Sequence, residues 1–338
     1  MKLRSIQVLR GVAAMAVVAH HAFAGDTRLG AAGVDLFFVI SGFIMATCTG
    51  SRSASEFLAD RAWRIYPLWL IAVLPWLFME PVSLLGIVRS LTLWPVYGHQ
   101  YVDPALGVGW TLSFELLFYA GFALAIATRA WVPLLVFGLC LILGLTTNNL
   151  LFWFVGSPLT FEFLLGVIIA RMPARENLGA AAAALGLTLF AVAPATYFAQ
   201  SFGGGAILRV ICWGIPAASL VYGLRSLEPR LSGRAFDLPV LIGNASYSIY
   251  LFHQLVFKPF HGIAGFVLSA TAGIALYFLV ERPIIRARPN WTRGGWKNRR
   301  SGQPQRLASH VADAPVLAGI APGPADTLVE HRERLVRN

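Results

Sequence analysis

Residues 3–23 read LRSIQVLRGVAAMAVVAHHAF, and their only ionisable side chains are Arg4, Arg10, His20 and His21. About 20 predominantly apolar residues suffice to cross a bilayer as a helix, so residues 5–24 predict a transmembrane helix. A second apolar run, GVDLFFVISGFIMATCT at 33–49, follows after a short connection. The two together predict a tight helical hairpin. MKLR ahead of an apolar core and Ala22-Phe23-Ala24 behind it also resemble a secretory signal with its cleavage site. The nearby second run favours a retained hairpin over a cleaved leader.

Working outward, further apolar runs lie near residues 66–80, 110–128, 131–146, 150–170, 178–198, 205–224, 239–258 and 262–281. Ten runs in 338 residues, with 57% of the chain apolar and 13% charged, nearly exclude a soluble globular protein, for which about 45–50% and 25% are usual. The expected fold class is all-α: a polytopic membrane protein of about ten transmembrane helices around a polar chamber. With the amino terminus inside, Arg4, Arg52, Arg61, Arg64, Arg129, Arg171, Arg175, Arg225, Arg230 and Arg234 fall on the cytoplasmic side, against Arg28, Arg89 and Lys258 outside. That asymmetry places both termini in the cytoplasm. Residues 82–109 would spoil it as a full crossing and read as an interfacial or re-entrant outer element.

The formal charge of +11 invites a nucleic-acid reading, but six of those charges lie in residues 286–338. This stretch is rich in Pro, Gly and Arg and reads as a disordered cytoplasmic tail following the membrane domain of residues 1–285. Basic residues beside a membrane follow the positive-inside bias or touch anionic lipid, so membrane lipid is the expected partner and nucleic acid is not. Cys48, Cys140 and Cys212 all fall in apolar runs and read as packing residues.

An ionisable group at a helix centre costs about 2.5–3.5 kcal/mol on insertion scales, so those within the runs carry the information. Arg10, His20 and His21 lie in the first run, Asp35 in the second, Glu115 in the fourth, Glu162 in the sixth, Arg209 in the eighth and His253 in the ninth. Most share an outer level, and they can satisfy one another only by converging. Arg10 and His21 lie eleven residues apart, on one helix face about 16 Å apart along the axis. A fixed cation near the cytoplasm and a titratable base near the outside would suit a ligand with a phosphorylated head and a thin arm. Arg61 and Arg64 add two guanidiniums on one face of the third helix's cytoplasmic end, and guanidinium binds phosphate bidentately.

Five motifs in order, LRGVAAMAVVAHHAF (9–23), GVDLFFVISGFIM (33–45), RAWRIYP (61–67), WTLSFELLFY (110–119) and NASYSIYLFHQLV (244–256), resemble the membrane-bound acyltransferase family 3, which includes bacterial O-antigen and exopolysaccharide O-acetyltransferases. The resemblance implies an inner-membrane O-acyltransferase that moves an acyl group, usually acetyl, from cytoplasmic acyl-CoA to a hydroxyl of a glycan or lipid-linked sugar, beside polysaccharide-synthesis proteins. By position it implies roles in activity for Arg10 and His21, and contact with the CoA donor for Arg61 and Arg64. It also matches Asp35, Glu115 and His253 to family positions. Many members carry a fused esterase-like domain after the helices; none is visible here, so the membrane domain alone is expected to complete the transfer.

On this reading His21 is the general base, Asp35 or Glu115 orients its imidazole, and His253 donates to the developing oxyanion; the residues suit an acyl-histidine intermediate as well as direct transfer. No CxxC, HExxH or carboxylate cluster at metal spacing occurs, so no catalytic metal is expected. A transporter or flippase using the buried His, Asp and Glu as a proton relay is the rival from another class. It would favour related halves, and residues 5–128 and 131–281 show no convincing repeat. A membrane scaffold is a third reading, under which His21 would be dispensable.

Overall fold

A computed structural model describes residues 3–23, 28–50, 52–97, 100–101, 103–147, 149–193 and 206–287. The Ala24 of the leader-like motif, the glycines at 203–205 and the tail from 288 onward lie outside the described residues. Each of the ten apolar runs carries helix, within the described residues, as follows: α1 (Arg4–Ala22), α2 (Gly33–Cys48), α3 (Ala54–Met79), α5 (Gly109–Ala127), α6 (Trp131–Thr147), the pair α7 (Leu150–Val155) and α8 (Thr160–Arg171), α9 (Glu176–Val192), the pair α10 (Ala206–Arg209) and α11 (Ile215–Ser226), the pair α12 (Asp237–Asn244) and α13 (Ser246–Phe257), and α14 (Gly262–Leu276) with α15 (Arg282–Arg286). Six helical stretches are both long and apolar enough to cross a bilayer: Gly30–Cys48, Ala54–Met79, Gly109–Ala127, Leu150–Arg171, Ala206–Ser226 and Gly262–Arg286. α6 and α9 are apolar but shorter. The chain is a polytopic, helical membrane protein.

Among the described residues, 82–109 hold no helix of spanning length. They form α4 (Leu84–Thr92) and a minimal antiparallel ladder pairing Val96 with Tyr101 and Tyr97 with Gln100. Ser83 caps α4 by accepting from the Gly86 N–H at 3.1 Å, and Leu93 ends it in the left-handed region at φ 56°. α3 starts on a capping box in which the Ser53 side chain accepts from the Glu56 N–H while the Glu56 carboxylate accepts from the Ser53 N–H.

Two helices are interrupted by π turns, at Val210–Gly214 and Tyr277–Glu281. In each case a proline follows two residues later, Pro216 and Pro283. A helical proline lacks an N–H and its ring clashes with the carbonyl four residues back. That carbonyl belongs to Cys212 or Leu279, inside the turn, so widening the helix there relieves the conflict.

The helices approach closely where a residue lacks a side chain. A Cβ on Gly42 would lie 1.9 Å from the Phe163 carbonyl oxygen, and one on Gly166 would lie 2.0 Å from that of Val39, so α2 and α8 touch backbone to backbone. Gly243 of α12 meets the Gln7 carbonyl of α1 in the same way, at 1.8 Å. Apolar solvation does not drive helix pairing within lipid, so such close packing carries it. The largest apolar core surrounds Trp69, Phe114, Phe118 and Phe163, with the last two rings stacked 4.1 Å apart.

Candidate active site

The first half of α1, the length of α2, the start of α3, and parts of α5, α13 and α15 enclose a cavity of about 910 Å³. This lies near the top of the roughly 300–1,000 Å³ usual for small-molecule and cofactor sites. Arg10, Arg52, Arg61, Arg64, Arg282 and Arg286 line it. Its mouth is marked by exposed Thr47 and Cys48 at the end of α2, and its far end by Val34, Phe37, Thr111 and Tyr250.

Two carboxylates hold three of these six arginines. Asp60, buried, accepts from both Arg52 and Arg61 at 2.9 Å. Glu281, at the end of the second π turn, accepts from Arg64 Nη1 at 2.7 Å, from the Ser248 hydroxyl at 2.6 Å and from the Ser248 N–H at 3.2 Å. The π turn and Pro283 therefore aim one carboxylate at α3 and α13 together. Aromatic faces flank the same arginines: Arg61 lies 5.8 Å from the Phe57 ring centroid and 6.0 Å from that of Tyr119, and Arg64 lies 5.4 Å from that of Tyr247. Glu115 accepts from Ser41 Oγ at 3.3 Å and from the Tyr119 hydroxyl. Arg10 differs from Arg52, Arg61 and Arg64, since no ion pair or hydrogen bond holds its guanidinium among the described residues.

The histidines form a second feature, and neither lines the cavity. His21 and His253 lie with ring centroids 4.9 Å apart, and His253 Nε2 is 3.3 Å from His21 Nδ1. His253 Nδ1 is 2.7 Å from the Tyr250 carbonyl oxygen and His21 Nδ1 is 2.9 Å from that of Val17. A carbonyl oxygen only accepts, so in neutral rings both Nδ1 atoms carry the proton. His253 Nε2 then accepts from the His21 Nδ1–H. The lone pair left over is on Nε2 of His21, whose side chain is exposed, whereas His253 is fully buried. His20 sits edge-on to His21 with centroids 5.1 Å apart.

A third polar group is sealed. Asp35 and Arg209 form a bidentate pair, with Arg209 Nε donating to Oδ1 and Nη2 to Oδ2, both at 2.9 Å, and their side chains are 0% and 1% exposed. The Arg209 guanidinium lies 5.5 Å from the Trp110 ring centroid and 5.4 Å from that of Trp213. Glu162, 0% exposed, faces Asp35. Gly214 of the first π turn makes room for it, since a Cβ there would lie 2.8 Å from Glu162 Oε1.

The expected outer cluster thus divides among three places. His21 and His253 come together, as do Asp35, Glu162 and Arg209, while Glu115, Arg10, Arg61 and Arg64 belong to the cavity. Two expected assignments change on geometry. Asp35 does not orient His21, because both its oxygens are committed to Arg209; the Val17 carbonyl and His253 orient that ring instead. His253 has no N–H to offer an oxyanion, because its one proton in the neutral ring bonds the Tyr250 carbonyl. Sequence reading also passed over Asp60 and Glu281. Glu281 closes the last apolar run at LVERP and looks like a boundary; its place beside Pro283 was the available signal.

The family model described as an acyltransferase domain matches residues 3–280. Among curated proteins, the exopolysaccharide production protein ExoZ of Rhizobium meliloti (strain 1021) is 35% identical over 298 residues, covering 76% of this chain and 90% of ExoZ. The putative membrane-bound transacylase BcsY of Komagataeibacter xylinus is 26% identical, covering 82% of each chain. O-acetyltransferase OatA of Staphylococcus aureus (strain NCTC 8325 / PS 47) is 24% identical over 83% of this chain and 57% of its own length. No solved structure matches the chain. A multi-helix membrane body, an arginine-lined cavity and a family match over nearly all the described residues lead to one identification: the chain belongs to the acyltransferase 3 family and is a membrane-bound acyltransferase.

Proposed function

We propose that this protein is an O-acetyltransferase of the cell inner membrane, crossing it ten times with both termini in the cytoplasm. It moves an acetyl group from cytoplasmic acetyl-CoA to a hydroxyl of an exopolysaccharide, O-antigen or lipid-linked sugar. The relationship to ExoZ, an exopolysaccharide production protein, favours that class of acceptor. One observation carries the reading. An arginine-walled cavity ends at Tyr250, one helical turn from a histidine pair whose free lone pair points to an exposed position.

The donor's phosphates suit the basic wall. Arg10, with no carboxylate committed to it, takes one phosphate; Arg61 and Arg64 take others by exchanging Asp60 or Glu281 for them, because forked guanidinium binds phosphate well. The thin arm of the donor follows α2 toward Tyr250 and brings the thioester to the histidines. The acceptor approaches His21 from its exposed side. His21 Nε2 removes the acceptor hydroxyl proton as the oxygen attacks the thioester carbon. The carbon–sulfur bond then breaks, the carbonyl reforms, and the leaving CoA sulfur takes the proton back from the imidazolium. The hydrogen bond from His21 Nδ1 to the Val17 carbonyl stabilises the charged ring while it exists. Asp35 and Arg209 take no part in these steps; their sealed pairing supports a role in holding α2 to α10.

The test is purified protein in lipid nanodiscs with acetyl-labelled acetyl-CoA and surface glycan from the producing strain. Label on the glycan together with CoA release is the expected outcome, abolished by His21→Ala at unchanged protein level. Glycan transport without label transfer would overturn the proposal.

A further inference from the structure

Tyr250 lines the far end of the cavity and is the last residue of α13 to do so before His253. Its hydroxyl is doubly held, 2.9 Å from the Thr111 hydroxyl and 3.2 Å from the Val108 carbonyl, to which it donates. Thr111 Oγ also lies 3.0 Å from the Val108 carbonyl; with Tyr250 donating to that carbonyl, the one Thr111 proton goes to the Tyr250 oxygen, so the first turn of α5 fixes the position of the phenol ring. On its other side the ring meets Phe37 edge to face, with centroids 5.8 Å apart. Its centroid lies 6.0 Å from that of His253. The ring is therefore pinned from α5, backed by α2, and set at the cavity's end beside His253.

The basic residues gather toward the other end, where Arg52, Arg61 and Arg286 accompany Thr47 and Cys48. A donor with its phosphates there presents its acyl end to Val34, Phe37, Thr111 and Tyr250. We propose that Tyr250, held by Thr111 and backed by Phe37, is the end wall of the donor cavity and sets the length of acyl chain the protein accepts, confining it to short groups. The inference rests on the cavity being the acyl-CoA site. A wall fixed by two hydrogen bonds and a ring contact yields little, so each methylene beyond the available length meets the phenol ring. In a tight apolar site one methylene alters affinity by about tenfold or more.

The experiment is isothermal titration calorimetry of the full chain in lipid nanodiscs with acetyl-CoA, butyryl-CoA and octanoyl-CoA. For the wild type, acetyl-CoA and butyryl-CoA bind and octanoyl-CoA binds at least tenfold more weakly. Tyr250→Ala brings octanoyl-CoA to within threefold of acetyl-CoA, while Tyr250→Phe, which keeps the ring, preserves the wild-type order. If Tyr250→Ala does not fold, Tyr250→Leu, which removes the ring but keeps apolar volume, shifts the order in the same direction by a smaller factor. An octanoyl-to-acetyl ratio equal in wild type and in the folded alanine variant overturns the inference and leaves the donor site standing. Failure of all three thioesters to bind the wild type overturns the donor reading itself.

Discussion

Arg209 and Arg10 are both guanidiniums set among apolar helices, yet they are provided for in opposite ways. Arg209 has a carboxylate gripping it through two 2.9 Å bonds, two tryptophan faces over it, and no solvent. Arg10 lines a large cavity with no ion pair or hydrogen bond to its guanidinium among the described residues. A buried, bidentate ion pair is expensive to break and chemically inert; an arginine with uncommitted donors facing open volume waits for an anion. Partners, more than burial, separate scaffold from site in this molecule. The histidines follow the same rule, since His253 spends both nitrogens inside the protein whereas His21 keeps one free.

Mutations can break or sharpen this contrast. The largest effect is expected at His21, whose exposed side chain contributes little to folding. His21→Ala lowers acyl transfer by about 10²–10⁴-fold, the usual range for a general base, with thermal stability in detergent unchanged. Next comes Asp35→Ala, which strands a buried guanidinium and costs about 3–5 kcal/mol of stability. This is read as lost membrane abundance and a lower melting temperature, with Asp35→Ala/Arg209→Met recovering most of it. An Asp35→Ala protein as stable as wild type but inactive would move Asp35 from scaffold to chemistry. Arg10→Ala is expected to weaken acetyl-CoA binding by about 10–100-fold, matching about 1.5–3 kcal/mol for a charged hydrogen bond, in a titration that leaves the melting temperature in place. The smallest effect belongs to Arg64→Lys, which keeps the charge facing Glu281 and loses the fork; donor affinity falls by roughly tenfold or less.

Much of the fold was legible in the sequence because hydropathy is local. Each apolar run, read from composition alone, turned out helical, and the stretch at 82–109 formed no spanning helix. Partner choice was not legible. Asp35 and Arg209 are separated by 174 residues, and nothing in either motif says which of the outer charges meets which. Arg10 and His21 share a face of α1 as the helical period requires, but a common face does not make a common chamber. Along α1 the cavity wall stops at Arg10. It continues on α2 and α13, so the route toward His253 follows other helices. Glu281 escaped notice because a charge at the end of an apolar run is what any loop boundary looks like.

The π turn at Tyr277–Glu281 has a consequence for how this helix tolerates change. Such a turn holds one residue more than the α-helix around it, so the segments before and after remain in phase with each other only while that extra residue is absorbed there. Removing a single residue elsewhere, at Leu268 for example, rotates everything beyond it by about 100° and carries Glu281 off its partners. Removing Phe278 instead lets the helix heal into ordinary winding, with Pro283 left to bend it. The bulge is thus a reservoir of length, a place where lineages can gain or shed a residue without re-registering the ends of the helix.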